Sequence, residues 1–343
     1  MLLPGIDIGI DLGTSSIQII TKERGIVLDE PAVVALDIDT DEIIAYGLDA
    51  YKMLGRTSER IRPIYPLKDG VISDYDLTEQ MLMNFVEKVC GNRVFMPRVV
   101  VCVPINITEV ERRAVSDALH SSGARKVCLI EEAIAAAIGA GIDISAPMGC
   151  MIVDIGGGTS DIAVLSLNGM ASCDSIKMAG HAFDEAVIRY VKKKFNLLIG
   201  PRMAERVKIN LGCAVPRNPV ASMRVSGRSL LNGLPRFVTM TSDDAFEALE
   251  EPTILITRRI QQVLEQTAPE LIGDILTNGV LLTGGSSQLY GMDKLVSKKT
   301  KLNAVLANDP QHCVALGCGK ALKFMDSATE EEIALSPLDI YTF

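Results

Sequence analysis

Met151-Ile152-Val153-Asp154-Ile155-Gly156-Gly157-Gly158-Thr159-Ser160-Asp161 decides the fold, because the same plan occurs earlier in the chain as an apolar strand ending in Asp11-Leu12-Gly13-Thr14-Ser15-Ser16. Each segment is a strand, an acid and a glycine turn carrying hydroxyls. Working outward, each turn is followed by a second strand, Ile17 to Thr21 or Ile162 to Ser166, and then by a reversal at Arg24-Gly25 or Asn168-Gly169. Asn-Gly between apolar stretches is a hairpin signal, since both residues tolerate positive φ. Both turns therefore open antiparallel hairpins.

The repeat continues through a strand and a helix, Val99 to Pro104 with Thr108 to Ser121 and Val280 to Gly285 with Gln288 to Lys299. Val110, Ala114 and Ala118 mark the expected apolar face of the first of these helices. The closing elements match best: Ala135-Ala136-Ala137-Ile138-Gly139-Ala140-Gly141 aligns with Cys313-Val314-Ala315-Leu316-Gly317-Cys318-Gly319. Small residues at that density let two backbones approach, so two helices are expected to cross between the halves and act as a hinge. The repeat predicts an α/β protein of two domains, each with a mixed sheet covered by helices, around a cleft. Domain I is expected at 1–141 plus 311–343, with an insertion at about 31–70. Domain II is expected at 142–310, with an insertion at about 180–255. Both acid-glycine turns would face the cleft, where open α/β sheets bind ligands.

Composition bounds the function. At 343 residues the chain is long enough for two domains with their own cores, and 48% apolar against 22% charged residues excludes general disorder. A net charge of −9 argues against nucleic acid and against electrostatic attachment to an anionic membrane. The eight cysteines include no CxxC pair and several lie in apolar runs, as expected of reduced core thiols in a cytoplasmic protein. No secretory n-region and no uninterrupted apolar run of membrane-spanning length is apparent.

Glycine turns with hydroxyls suit phosphate because their N–H groups can approach its oxygens closely. An acid beside phosphate is repelled unless a cation lies between them. Asp11 and Asp154 are therefore candidate Mg²⁺ residues, acting through water. The alternative is that both cap turns, and Asp161 is assigned a turn or capping role.

Together, the two turns, the segment Leu282-Thr283-Gly284-Gly285-Ser286-Ser287 and the two small-residue helices resemble the nucleotide-binding signature shared by actins, chaperones of the same superfamily and sugar kinases. Glu131-Glu132-Ala133-Ile134-Ala135-Ala136-Ala137-Ile138-Gly139-Ala140-Gly141, Ala204-Glu205-Arg206-Val207-Lys208 and Tyr65-Pro66-Leu67-Lys68-Asp69-Gly70-Val71 are most similar to the MreB family of bacterial actins. The resemblance implies a duplicated actin-like ATPase fold with ATP and Mg²⁺ in the cleft. Gly13, Thr14, Ser15 and Ser16 would form the first phosphate loop, and Gly156, Gly157, Gly158 and Thr159 the second. Gly284, Gly285, Ser286 and Ser287 would form the adenosine loop. Glu205, Arg206, Val207 and Lys208 would contribute to the nucleoside site, with Glu205 and Lys208 on one helix face meeting ribose and base; a surface ion pair is the alternative. Glu132 would orient the attacking water, supported by Thr159, Asp154 and Asp11; a helix N-terminal acid is the alternative, which Glu131 fits better.

The chain departs from the family in having Ala133 after Glu132 where proline is common, Ser15-Ser16 in place of Ala-Asn, and Ser286-Ser287 in the adenosine loop. The family resemblance further implies self-assembly into filaments, peripheral attachment to the inner face of the cell membrane, and cell-wall synthesis partners. Val94, Phe95 and Met96, between Arg93 and Arg98, are the candidate membrane loop, against the alternative that Phe95 and Met96 enter the core. A plasmid-partitioning actin or a sugar kinase are other readings of the same fold. A chaperone is disfavoured, because only about twenty residues follow the last helix.

Overall fold

The computed structural model describes residues 6–91 and 96–325. In chain order the first part contains β1 (Ile8–Leu12), β2 (Ser16–Thr21), β3 (Gly25–Pro31), β4 (Val34–Asp37), β5 (Glu42–Tyr46), α1 (Gly47–Met53), β6 (Ile61–Ile64), β7 (Leu67–Lys68), β8 (Val71–Ile72), α2 (Tyr75–Cys90), β9 (Arg98–Val103), α3 (Glu109–Ser121), β10 (Lys126–Glu131) and α4 (Glu132–Ala140). The second contains β11 (Cys150–Ile155), β12 (Ser160–Ser166), β13 (Gly169–Ile176), α5 (Gly180–Phe195), β14 (Leu197–Leu198), α6 (Pro201–Leu211), β15 (Ser222–Ser229), β16 (Pro235–Thr241), α7 (Ser242–Gln266), α8 (Pro269–Asn278), β17 (Val280–Thr283), α9 (Met292–Thr300), β18 (Ala304–Leu306) and α10 (Cys313–Ala321).

The two large sheets repeat one another. Their strand orders are β10-β9-β1-β2-β3 and β13-β12-β11-β17-β18, each antiparallel through its hairpins and parallel through its crossovers. Three cores explain why their central strands are apolar on both faces. Ile8, Ile10, Val99 and Val101 pack with Phe85 and Leu119 on one outer face. Val153 and Ile155 pack with Phe183 and Ile256 on the other. Between them, Val100, Cys102 and Ile130 of the first sheet share a core with Ile152, Ala163 and Leu165 of the second, through α4 and α10.

Those two helices cross as closely as their composition predicts. A Cβ on Gly139 would lie 1.7 Å from the Cys313 carbonyl oxygen, and one on Gly317 1.8 Å from that of Ala135. Only glycine fits at either point. Lys320 then donates to the carbonyls of Ile138 and Gly139 at 2.8 and 3.0 Å, satisfying the C-terminal end of α4.

Local details depart from expectation. Thr108 and Glu111 form a reciprocal capping box at the start of α3, but Val110 is 80% exposed and the inward face is Val115, Ala118 and Leu119. The helix expected from Gln288 begins at Met292, because Gly285–Gln288 forms a 3₁₀ turn. The second hairpin turns one residue early, with positive φ at Leu167 (49°) and Asn168 (62°) and pairing resumed at Gly169. Of the candidate membrane loop, Val94 and Phe95 lie outside the described residues, and Met96 is 59% exposed rather than in the core. No helix among the described residues is long and apolar enough to cross a membrane.

Candidate nucleotide cleft

A cleft of about 1010 Å³ lies between the two large sheets, lined by both glycine loops. The loops interlock. A Cβ on Gly157 would meet the Ser15 side chain at 2.0 Å, and one on Gly158 would meet Thr14 Oγ1 at 2.5 Å. Thr14 Oγ1 also accepts from Gly70 N at 2.8 Å. Asp69 and Gly70 adopt positive φ in the β7–β8 turn, which places that turn against both loops. Ser15 Oγ makes a 2.9 Å hydrogen bond to His181 Nε2, at the start of α5. Burial, followed by the Lys208 charge, holds the His181 imidazole below its ordinary pKa, so the bond joins two neutral groups.

Four carboxyls converge in or beneath this junction. Asp11, at the end of β1, accepts from the Cys102 thiol at 3.2 Å, and Asp154, at the end of β11, accepts from Thr283 Oγ1 at 2.7 Å. Burial pushes Asp11 up to about 6 and Asp154 up to about 7. Glu132, the first residue of α4, is raised well above the ordinary range by burial and then by Asp161, Asp154 and Asp11. Asp161 is fully buried and also raised by burial. It accepts from Ile105 N at 3.3 Å in the turn after β9, in keeping with its expected turn or capping role, while its other oxygen has no hydrogen-bond partner and its charge raises the Glu132 carboxyl. Carboxyls driven toward their neutral forms are what a site built around a cation presents without that cation. Asp11 and Asp154 fit Mg²⁺ held through water. Among the described residues no group of three or more His, Cys, Asp or Glu side chains is placed to hold a metal ion directly.

At the other end of the cleft, α6 presents Glu205 and Lys208. They do not pair with each other: Lys208 Nζ binds Asp184 Oδ2 at 2.9 Å, while Glu205 Oε2 accepts a short hydrogen bond from Tyr51 of α1. Burial, with the Glu205 hydrogen bond and charge, pushes the Tyr51 hydroxyl up to about 12, so it remains a donor. Gly284 has φ 83°, and a Cβ there would strike the Ile155 carbonyl at 2.3 Å. Ser286 of this loop donates to Gly156 O at 2.7 Å, tying the adenosine loop to the second phosphate loop.

The cleft thus brings together Asp11, Gly13, Thr14, Ser15, Ser16, Glu132, Asp154, Gly156, Gly157, Gly158, Thr159, Glu205, Lys208, Gly284, Gly285 and Ser286. Three expected residues do not line it. Arg206 is solvent-exposed, Val207 packs in the second domain's core, and Ser287 is buried with its hydroxyl donated to Gly284 O. Helical geometry explains the first two, since on α6 the cleft face runs through Arg202, Glu205, Lys208 and Ile209 at three-to-four spacing and turns Arg206 and Val207 away. Tyr51, Tyr65, His181, Asp184 and Arg202 also line the cleft and were not identified. Tyr51 comes from α1, His181 and Asp184 from α5 and Arg202 from α6, and only Tyr65 lies in one of the segments that carry the family resemblance.

Comparison with known proteins agrees with this architecture. The family model for MreB/Mbl protein matches residues 5–330. The cell shape-determining protein Mbl of Bacillus subtilis (strain 168) is 45% identical over 96% of this chain and 99% of its own. The cell shape-determining protein MreB of Escherichia coli (strain K12) is 47% identical over 93% and 94%. Among solved structures, MreB5 of Spiroplasma citri bound to ADP superposes with a TM-score of 0.90 at 34% identity, over 94% of this chain and 99% of that one. The MamK double helical filament shares the fold, with a TM-score of 0.79 at 21% identity over 93% and 99%. The described cleft, the duplicated sheets and these matches agree: the chain belongs to the MreB/Mbl family of actin-like, nucleotide-binding cytoskeletal proteins.

Proposed function

We propose that the protein binds and hydrolyses ATP in this cleft and assembles into membrane-associated filaments that direct cell-wall synthesis and maintain cell shape. The observation that carries the reading is the convergence of two interlocked glycine loops on three acids: buried Asp154 and Glu132 and half-buried Asp11 stand where backbone N–H donors to phosphate and a cation would meet. Backbone amides of Gly13 to Ser16 and Gly156 to Thr159 cradle the phosphates, and Asp11 and Asp154 would hold Mg²⁺ through water. Bound there, Mg²⁺ supplies neutralisation of phosphate charge.

Glu132 aligns a water with the γ-phosphorus and accepts its proton as the new P–O bond forms and the bond to the leaving ADP oxygen breaks. Thr159 helps hold the γ-phosphate, and Glu205 and Lys208 bind the nucleoside. This alignment and charge compensation supply the catalysis. Relatives named as cell shape-determining proteins support the biological assignment, a protein of the same fold, MamK, forms a double helical filament, and the MreB5 complexes with ADP and AMPPNP support nucleotide binding. Exposed Met96 supports the membrane reading for the segment Val94 to Met96, of which Val94 and Phe95 lie outside the described residues.

Negative-stain microscopy on a lipid monolayer tests the assignment. Filaments on the lipid with Mg-ATP are expected, whereas monomers across salt and nucleotide conditions would contradict it.

A further inference from the structure

The hydrogen bond between Tyr51 and Glu205 joins two elements 154 residues apart in sequence and lies within the cleft. It is reinforced on both helices. Arg202, one turn before Glu205 on α6, lays its guanidinium over the Tyr51 ring at 5.3 Å and donates to the Lys52 carbonyl oxygen at 3.3 Å. The ring is therefore fixed on its face and its hydroxyl directed at one carboxylate oxygen. Glu205 Oε2 takes that hydrogen bond, and among the described residues Oε1 takes none. A glutamate on a helix otherwise has three rotatable bonds, so a free Glu205 would lose side-chain entropy on meeting a ligand.

We propose that Tyr51 is a positioning residue for the nucleotide sugar: it fixes Glu205 from the opposite side of the cleft so that the free carboxylate oxygen accepts a hydrogen bond from a ribose hydroxyl. This rests on the nucleotide reading above and names a residue that reading does not use. It also couples recognition to closure, because the sugar acceptor is in place only while α1 and α6 are in contact. A ligand lacking ribose hydroxyls has no donor for Glu205 and gains nothing from Tyr51.

The test is competition against a fluorescent ATP analogue, with Mg²⁺ present, comparing ATP with 2′,3′-dideoxy-ATP on the full chain and on Tyr51→Phe. The substitution keeps the ring and its Arg202 contact, and a melting curve checks the fold. Wild type should favour ATP, and Tyr51→Phe should weaken ATP about three- to tenfold, in line with one hydrogen bond, while leaving dideoxy-ATP nearly unchanged. Arg202→Lys, which keeps the hydroxyl but loosens the ring, should narrow the ratio in the same direction by less. Equal loss for both nucleotides in Tyr51→Phe, or an unchanged ratio, would overturn the positioning role. A wild type that binds both nucleotides equally would overturn it as well, with ATP binding left standing. A wild type that binds neither would instead remove the nucleotide reading on which it rests.

Discussion

The two glycine loops occupy equivalent places in duplicated hairpins, yet their acids have different neighbours. Across the strand from Asp11 stands Gln18, and across from Asp154 stands Asp161. Asp11 is held by a thiol and Asp154 by a hydroxyl, a stronger donor. The backbone plan fixes where the two acids stand, but the cross-strand partner decides the charge around them. The second half therefore carries an extra buried carboxyl, beside Glu132, while the first carries a neutral amide. Glu132 itself is carried by the first half, so it is the point where the second half's extra carboxyl acts across the cleft.

The largest effect follows from removing the group on which that asymmetry converges. Glu132→Ala should lower phosphate release about 100-fold or more while retaining nucleotide binding, read by a phosphate assay beside a binding titration. Wild-type turnover in the variant would assign the asymmetry some other purpose. The similarity of the halves can be broken at the paired helices instead. Gly317→Ala forces a methyl group against the Ala135 carbonyl and should cost about 3 kcal/mol or more in denaturant unfolding, because neither backbone can yield.

The charge difference itself has a pH signature. Asp11 and Asp154 titrate near 6 and 7 in the nucleotide-free fold against 3.8 for the ordinary side chain. Between those values the native state holds protons that the unfolded chain has released, so stability falls as pH rises from about 4 through 7. Asp161→Asn should then raise the nucleotide-free unfolding free energy at pH 8, by about 1–2 kcal/mol, and change little near pH 4. Gln18→Glu, which gives the first half the second half's arrangement, should lower it at pH 8. Equal behaviour of the two variants would show that the partners do not set the local charge.

Much of this was legible because duplication repeats a local pattern. Asp-x-Gly turns, hairpins and the Gly139–Gly317 crossing are written in contiguous residues, and two weak motifs on one scaffold strengthen each other. The three-residue edge strand β18 has too little periodicity to stand out. Val110 misled because it lies in the first turn of α3, beyond the sheet it was expected to cover. Asp161 reads as a turn residue, and nothing local reveals that Glu132, 29 positions earlier in the numbering, is folded against it. Tyr51 and His181 reach the cleft only through tertiary packing, so no spacing rule could have found them.

Calorimetric titration of ATP into the nucleotide-free protein at pH 8, with and without Mg²⁺, tests the central claim most directly. The account predicts saturable binding that depends strongly on Mg²⁺, since Asp11 and Asp154 otherwise oppose the phosphates. Tight binding indifferent to Mg²⁺, or no binding in either condition, would contradict a cation-bridged phosphate site.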